Sequence, residues 1–241
     1  MPVTDTRTVA EIAAGSIAAV RVFEKLGIDY CCGGKRPLAD VCREKGYDTQ
    51  AVERELEEAA RQAPASEVDW NTAPLEGLIA HIVSTHHDYL RREFPAIQMR
   101  LDKVYRVYNE RYGPTLQGLP EAFAGLRSEM EAHTQKEEMM LFPAITASEA
   151  AAKSGQSQPA SPLGSVATPI RVMEAEHDDA GRSLAEIRRI TGGYHLPDYA
   201  CVTYRALMRG LQDLEHDLHV HVHLENNILF PRALQLEASK G

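Results

Sequence analysis

No stretch of this chain approaches the roughly 18 consecutive apolar residues that a membrane-spanning helix requires. The N-terminal Met1-Pro-Val-Thr-Asp-Thr-Arg7 also lacks the apolar core of a secretory signal. Both absences point to the cytoplasm and away from a membrane. Cysteine is scarce, with four in 241 residues, and two of these are adjacent, Cys31 and Cys32. That excludes the regular framework of a disulfide-stapled secreted domain and reads as reduced thiols. Positive charge is short: 26 Lys and Arg face 35 Asp and Glu, and the net charge of −9 argues against nucleic acid or an anionic membrane as the main partner. Strand-type alternation is missing throughout, so the fold class is all-α.

What the chain does contain is a repeated skeleton. His133-Thr-Gln-Lys-Glu137-Glu-Met-Met-Leu141-Phe142-Pro143 recurs 88 positions later as His221-Val-His-Leu-Glu225-Asn-Asn-Ile-Leu229-Phe230-Pro231, and both read H-x-x-x-E-x-x-x-L-F-P. On a helix, positions four apart share a face, so each copy aims an imidazole and a carboxylate the same way. The surrounding pattern says which face. Leu207, Leu211, Leu214 and Leu218 lead by steps of three and four into His221, Glu225 and Ile228. In the earlier copy Phe123, Leu126 and Met130 lead into His133, Glu137 and Met140. The ligand types therefore stand where a bundle core expects leucine. A lone carboxylate there costs several kcal/mol or neutralises itself, and a cation is the economical compensation.

Taken in order, residues 1–66 form a small helical domain. Thr8 caps a first helix and Ser16 a second, which carries Ile17, Val20, Phe23 and Leu26 and stops at Gly27. Pro37 fits the first turn of a third helix and Asp48 caps a fourth. Residues 67–73 read as a linker, and 74–241 as a four-helix bundle. The first long helix runs from Pro74 to Gly113-Pro114, with a kink or break expected at Pro95. The second runs from about Leu119 to Ala147. A Ser-, Gly-, Pro- and Ala-rich crossover starts at Ala150. The third helix carries Ile170, Met173, His177, Leu184 and Ile187 and closes at Gly192-Gly193, and the fourth starts near Asp198.

The repeat extends beyond the two motifs. His87 precedes His133 by 46 residues and His177 precedes His221 by 44, so the bundle is two helical hairpins, each with one histidine and then one H-x-x-x-E. Folded together, they offer four imidazoles and two carboxylates to one centre. That donor set suits first-row metals, and carboxylates able to bridge suggest two ions. Iron is the first choice, manganese second and zinc third, since the set has no cysteine ligand.

These residues carry a family resemblance. The chain resembles the hemerythrin-like di-iron proteins and, more closely, the repair-of-iron-centres family of iron–sulfur cluster repair proteins. The matching stretches are Asp29-Tyr-Cys-Cys-Gly-Gly-Lys35, His87-Asp88, His133-Thr-Gln-Lys-Glu-Glu138, Glu176-His-Asp178 and Leu224-Glu-Asn-Asn-Ile-Leu-Phe-Pro-Arg-Ala-Leu234. The resemblance implies a small ScdA-type domain with its CCGG loop followed by a hemerythrin-like bundle. It makes His87, rather than the adjacent His86, an iron ligand together with His133, His177 and His221. It also implies that Glu137 and Glu225 bridge two iron ions, oxo-bridged when oxidised. The implied function is repair of iron–sulfur clusters damaged by oxidative or nitrosative stress, with iron as the material supplied. Partners would be apo or damaged iron–sulfur proteins and small diatomic ligands such as nitric oxide or oxygen, with a homodimer allowed. Two other readings stand beside it: a di-iron nitric oxide reductase or scavenger, and a sensor or store for oxygen or iron. Gly181 stands where oxygen-carrying hemerythrins have a fifth histidine, which favours reactivity over oxygen storage.

Other groups carry weaker expectations. Glu129, one turn before His133, and Glu176, beside His177, are candidates for proton relay or for support of the ligands. His216, His219 and His223 form a separate stripe read as a solvated face, while His81 and His195 are structural or exposed. Met139 and Met140 read as core filling. Cys31 and Cys32 are candidate redox or transfer thiols on an open loop. Gly33-Gly34-Lys35 is no phosphate loop, because Arg36 stands where Ser or Thr is required. Cys42 and Cys201 read as packing residues.

Overall fold

A computed structural model describes residues 7–62, 68–112, 116–154 and 164–239. All of its regular structure is helical, and a single isolated antiparallel bridge joins Thr8 and Pro37. Among the described residues no helix is long and apolar enough to cross a membrane. Packing divides the chain into two compact units: one combines residues up to Leu78 with those from His219 onward, and the other is Ile79–Leu218. This partition cuts through the last long helix, whereas the sequence reading places a linker at 67–73.

In the first unit the helices are α1 (Val9–Ala14), α2 (Ile17–Lys25), α3 (Leu38–Lys45) and α4 (Thr49–Gln62). Their starts are where the capping residues stand. Thr8 and Glu11 form a reciprocal capping box, the Ser16 side chain accepts from the Ala18 N–H, and Asp48 accepts from the Gln50 N–H. Val9, Phe23, Ile28, Tyr30, Leu38 and Cys42 fill the core, joined by Val222 from near the C-terminus. Of the segment read as a linker, the described part is pinned. Asn71 donates to the Ala14 carbonyl at 2.7 Å, and Arg232 donates to the Ala73 carbonyl at 2.7 Å.

The loop Asp29–Gly34 explains its own sequence. One carboxylate, that of Asp29, accepts the backbone N–H groups of Cys31 (3.0 Å), Cys32 (3.1 Å) and Gly33 (2.8 Å). Successive N–H groups converging in this way make an anion-binding concavity, and here the chain supplies its own anion. The two glycines follow from the crowding. A Cβ on Gly33 would lie 2.7 Å from Asp29 Oδ2, and one on Gly34 would lie 2.6 Å from the Tyr30 carbonyl oxygen.

The remaining helices are α5 (Leu75–Ile82), α6 (Asp88–Tyr112), α7 (Leu119–Lys136), α8 (Phe142–Ser154), α9 (Ala167–Ile190), α10 (Val202–Leu224) and α11 (Phe230–Ala238). In the second unit α6, α7, α9 and α10 bury layers such as Phe94, Phe123, Leu184 and Leu211, the core of a helical bundle. Each such side chain stabilises the fold by about 1.5–3 kcal/mol. Glu215 is buried between the α9 and α10 arms by Arg188 (3.0 and 2.5 Å) and the Tyr194 hydroxyl (2.9 Å).

Several expectations change. α6 continues through Pro95, and the departure from α geometry falls instead at Val83–His87. Helix α8 extends to Ser154, so the crossover begins later than Ala150, and residues 155–163 lie outside the described residues, as do Gly113 and Pro114. Met139 and Met140 are 68% and 50% exposed rather than core. They sit in a wider π turn, where a step of three from Glu137 no longer returns to the buried face, and Leu141, Phe142 and Ile145 fill it instead. His223 is buried, not solvated, and Cys201 is exposed, not packing.

The glycines yield a paired expectation. Gly34→Ala forces a Cβ into backbone and lowers stability by about 1–3 kcal/mol. Gly125→Ala, in α7 with nothing within 4 Å of the added carbon, raises it by up to about 1 kcal/mol. Urea denaturation followed by circular dichroism reads both, and equal midpoints for the two variants would remove the steric account of the loop.

Candidate metal centre

Among the described residues three π turns interrupt the helices: Val83–His87, Glu137–Leu141 and Glu225–Leu229. Each closes with a five-residue hydrogen bond, from Asp88 to the Val83 carbonyl, from Phe142 to Glu137 and from Phe230 to Glu225. The L-F-P ending of the repeat has a physical reading here. Pro143 and Pro231 have no N–H to give the carbonyl four residues back, and their rings press on it, so the turn before each proline widens. Glu137 and Glu225 each open such a turn, and His87 ends the third.

The side chains meet as imidazole Nε2 atoms around carboxylates. His87 Nε2 lies 3.4 Å from Glu137 Oε2, and His133 Nε2 lies 3.3 Å from Glu137 Oε1. His177 Nε2 faces His133 Nε2 at 3.0 Å, and His221 Nε2 is 3.1 Å from Glu225 Oε1. Two groups of potential donor atoms result, each within 4.8 Å of one another: His87, Glu137, His221, Glu225 and His133, Glu137, His177, Glu225. Glu137 and Glu225 belong to both. All six residues are at most 1% exposed.

An outer layer orients the rings. His87 Nδ1 is 2.6 Å from Glu138 Oε1, and His133 Nδ1 is 2.8 Å from Glu176 Oε2. With the Nδ1 proton given to a carboxylate, Nε2 keeps its lone pair for the centre. Arg91 bonds Glu138 and Lys136 bonds Glu176, which anchors both carboxylates. Burial alone raises the Glu176 carboxyl, but Lys136 and His133 outweigh it and hold the group below its usual value. The donor set is thus four imidazoles and two buried carboxylates with no thiolate, which fits a first-row divalent or trivalent cation.

Of the residues expected from sequence, His87, His133, Glu137, His177, His221 and Glu225 come together. His86 turns away to Asp217 at 2.9 Å. Glu176 supports His133 rather than its neighbour His177. Glu129 lies on the exposed side of α7, because the buried line runs Leu126, Met130, His133, Glu137 and leaves it outside. Glu138 was not expected. Its place next to Glu137 puts it about 100° round an α-helix from the core line, yet the side chain reaches back to His87. Of the thiol pair, Cys31 is buried and Cys32 half-buried, with Sγ atoms 3.8 Å apart. The Cys32 thiol, burial and the Asp29 carboxylate hold the Cys31 thiol well above its ordinary value.

Comparison with known proteins agrees with this arrangement. Residues 78–233 match the hemerythrin HHE cation binding domain, and residues 5–60 match ScdA_N, described as a domain of unknown function. The iron–sulfur cluster repair protein YtfE of Pectobacterium carotovorum subsp. carotovorum is 38% identical over 231 residues, 96% of this chain and 98% of that protein. The protein of the same name from Citrobacter koseri is 40% identical over 226 residues, 93% and 94% of the two chains. This chain belongs to the YtfE family. Within that family the hemerythrin-type module holds all six clustered residues, and the ScdA_N module holds the Asp29-capped thiol loop.

Two outcomes are expected for this YtfE-family site. Glu138→Ala and Glu176→Ala each weaken cobalt(II) binding by about 10–100-fold, while Glu129→Ala leaves it unchanged; a spectroscopic titration reads all three. Iodoacetamide near neutral pH modifies Cys201 before Cys31. The Cys201 thiol is exposed and lowered by the Tyr108 hydroxyl and the Tyr204 backbone, so it holds more thiolate, and Cys31 holds less. Time-resolved peptide mapping gives the order.

Proposed function

We propose that this protein is a di-iron protein that restores iron–sulfur clusters damaged by oxidants or nitric oxide, by supplying iron to the apo or damaged acceptor. The observation that carries the reading is the pair of buried groups that share Glu137 and Glu225, in a chain so similar to proteins named for cluster repair. His87, His133, His177 and His221 would hold the iron together with Glu137 and Glu225, the two carboxylates common to both donor groups. Iron held there would be the material handed to the acceptor.

The chain's own residues prepare the site. Glu138 and Glu176 accept from Nδ1 of His87 and His133, which turns Nε2 of each ring toward the centre. The apolar layers of the bundle, among them Leu90, Phe94 and Met130, hold the imidazoles in place, so that an ion leaves or returns without unfolding the core. Because metal ligands bind deprotonated, Glu137 and Glu225 would hold a cation as carboxylates.

Protein from iron-replete cells is expected to contain about two irons per chain by elemental analysis. Glu225→Leu removes most of that iron, keeps the helical circular dichroism and abolishes anaerobic transfer to an apo iron–sulfur protein. Retained iron and transfer in Glu225→Leu would overturn the assignment. Sustained nitrous oxide production with an electron donor, and no transfer, would replace repair by nitric oxide reduction.

A further inference from the structure

The thiol loop and the π turn that opens on Glu225 belong to the same compact unit, and two side chains join them. Asn227, the third residue of that turn, donates from Nδ2 to the Tyr30 carbonyl at 2.8 Å and lies 2.8 Å from His223 Nδ1. An amide nitrogen only donates, so Nδ1 of His223 accepts and its ring proton sits on Nε2. His223 is buried, and its ring meets the Tyr30 ring edge-on at 5.4 Å. Tyr30 immediately precedes Cys31. Its carbonyl is also the group over which Gly34 folds, 2.6 Å from where a Cβ would stand, and its hydroxyl donates to Glu24 at 2.8 Å.

Neither Asn227 nor His223 has a part in the metal reading, although a buried imidazole such as that of His223 is costly unless its polar atoms are used. A leucine pair would pack these positions without that cost. What the polar pair adds is register, since a directional bond fixes which backbone carbonyl of the loop sits over which residue of the turn.

We infer that Asn227 and His223 are positioning residues that lock the Cys31–Cys32 loop to the Glu225 turn, so that the state of one site is felt at the other. A cation bound through Glu225 stiffens the turn, holds Asn227 on the Tyr30 carbonyl and shields Cys32. By linkage, modification of the thiol loop weakens the cation by the same factor. The identity of what binds Glu225 rests on the function proposed above, whereas the docking of the loop does not.

The test uses the full chain with Cys201→Ser, so that the exposed thiol does not compete, and follows maleimide labelling of Cys32 by peptide mass mapping. Labelling is measured without metal and with cobalt(II), and metal content is determined on the same samples. Cobalt is expected to slow labelling by about fivefold or more. Asn227→Leu is expected to label faster than its parent without metal and to lose the cobalt effect, while binding cobalt at the parental stoichiometry. Equal metal-free rates in the two proteins would overturn the docking role, and an equal cobalt effect in both would overturn the coupling. If the parent binds no cobalt, the metal reading and the coupling both fall, and the metal-free comparison alone decides the docking. Asn227→Ala takes the place of the leucine variant if circular dichroism finds the latter unfolded.

Discussion

Two carboxylates buried at the level of a leucine core are the constraint on which the rest of the site depends. Glu137 and Glu225 have no exposed surface, and an ionised carboxylate removed from water is tolerated only with close compensation. Imidazole Nε2 atoms stand 3.1–3.4 Å from them. That arrangement makes sense as a cradle for positive charge, and Glu137 and Glu225 each enter it from the first position of a π turn. A wider turn redirects side chains locally, without bending the whole helix or surrendering the apolar layers on either side. The exposed Met139 and Met140 are the visible by-product of that redirection.

The outer layer answers a second electrostatic problem. An imidazole donates its lone pair to a cation only if the proton is on the other nitrogen, and a buried ring has no water to settle the matter. Glu138 and Glu176 settle it for His87 and His133. These carboxylates are in turn bonded by Arg91 and Lys136, which sit nearer to solvent. A chain of hydrogen bonds therefore runs from the surface inward, from cation to carboxylate to imidazole.

The thiol loop follows a different logic. Its N–H groups converge on Asp29, so the anion-binding geometry that glycine-rich loops often offer to a phosphate is already satisfied within the chain. The same carboxylate stands 3.4 Å from the Cys31 sulfur and works against a thiolate there. Of the pair, Cys32 is the partner nearer to solvent.

Much of this was legible in the residues alone. Helical periodicity and the repeated H-x-x-x-E-x-x-x-L-F-P pointed to an all-α bundle and to five core-facing histidines and glutamates, because a polar residue in an apolar stripe is visible without coordinates, while the family resemblance chose His87 over His86. The caps at Thr8, Ser16 and Asp48 were equally plain, being local hydrogen bonds between near neighbours. What the tertiary structure decided depends on phase and reach. Sequence counts on 3.6 residues per turn, and the π turns shift that count, which moved Met139 and Met140 to the surface and the break in the first long helix away from Pro95. Glu138 and Asp217 became partners of His87 and His86 only because helices distant in sequence lie side by side. His223 was hidden for the same reason: its stripe looks solvated until a small domain is packed against Val222 and Tyr30 is laid across the ring.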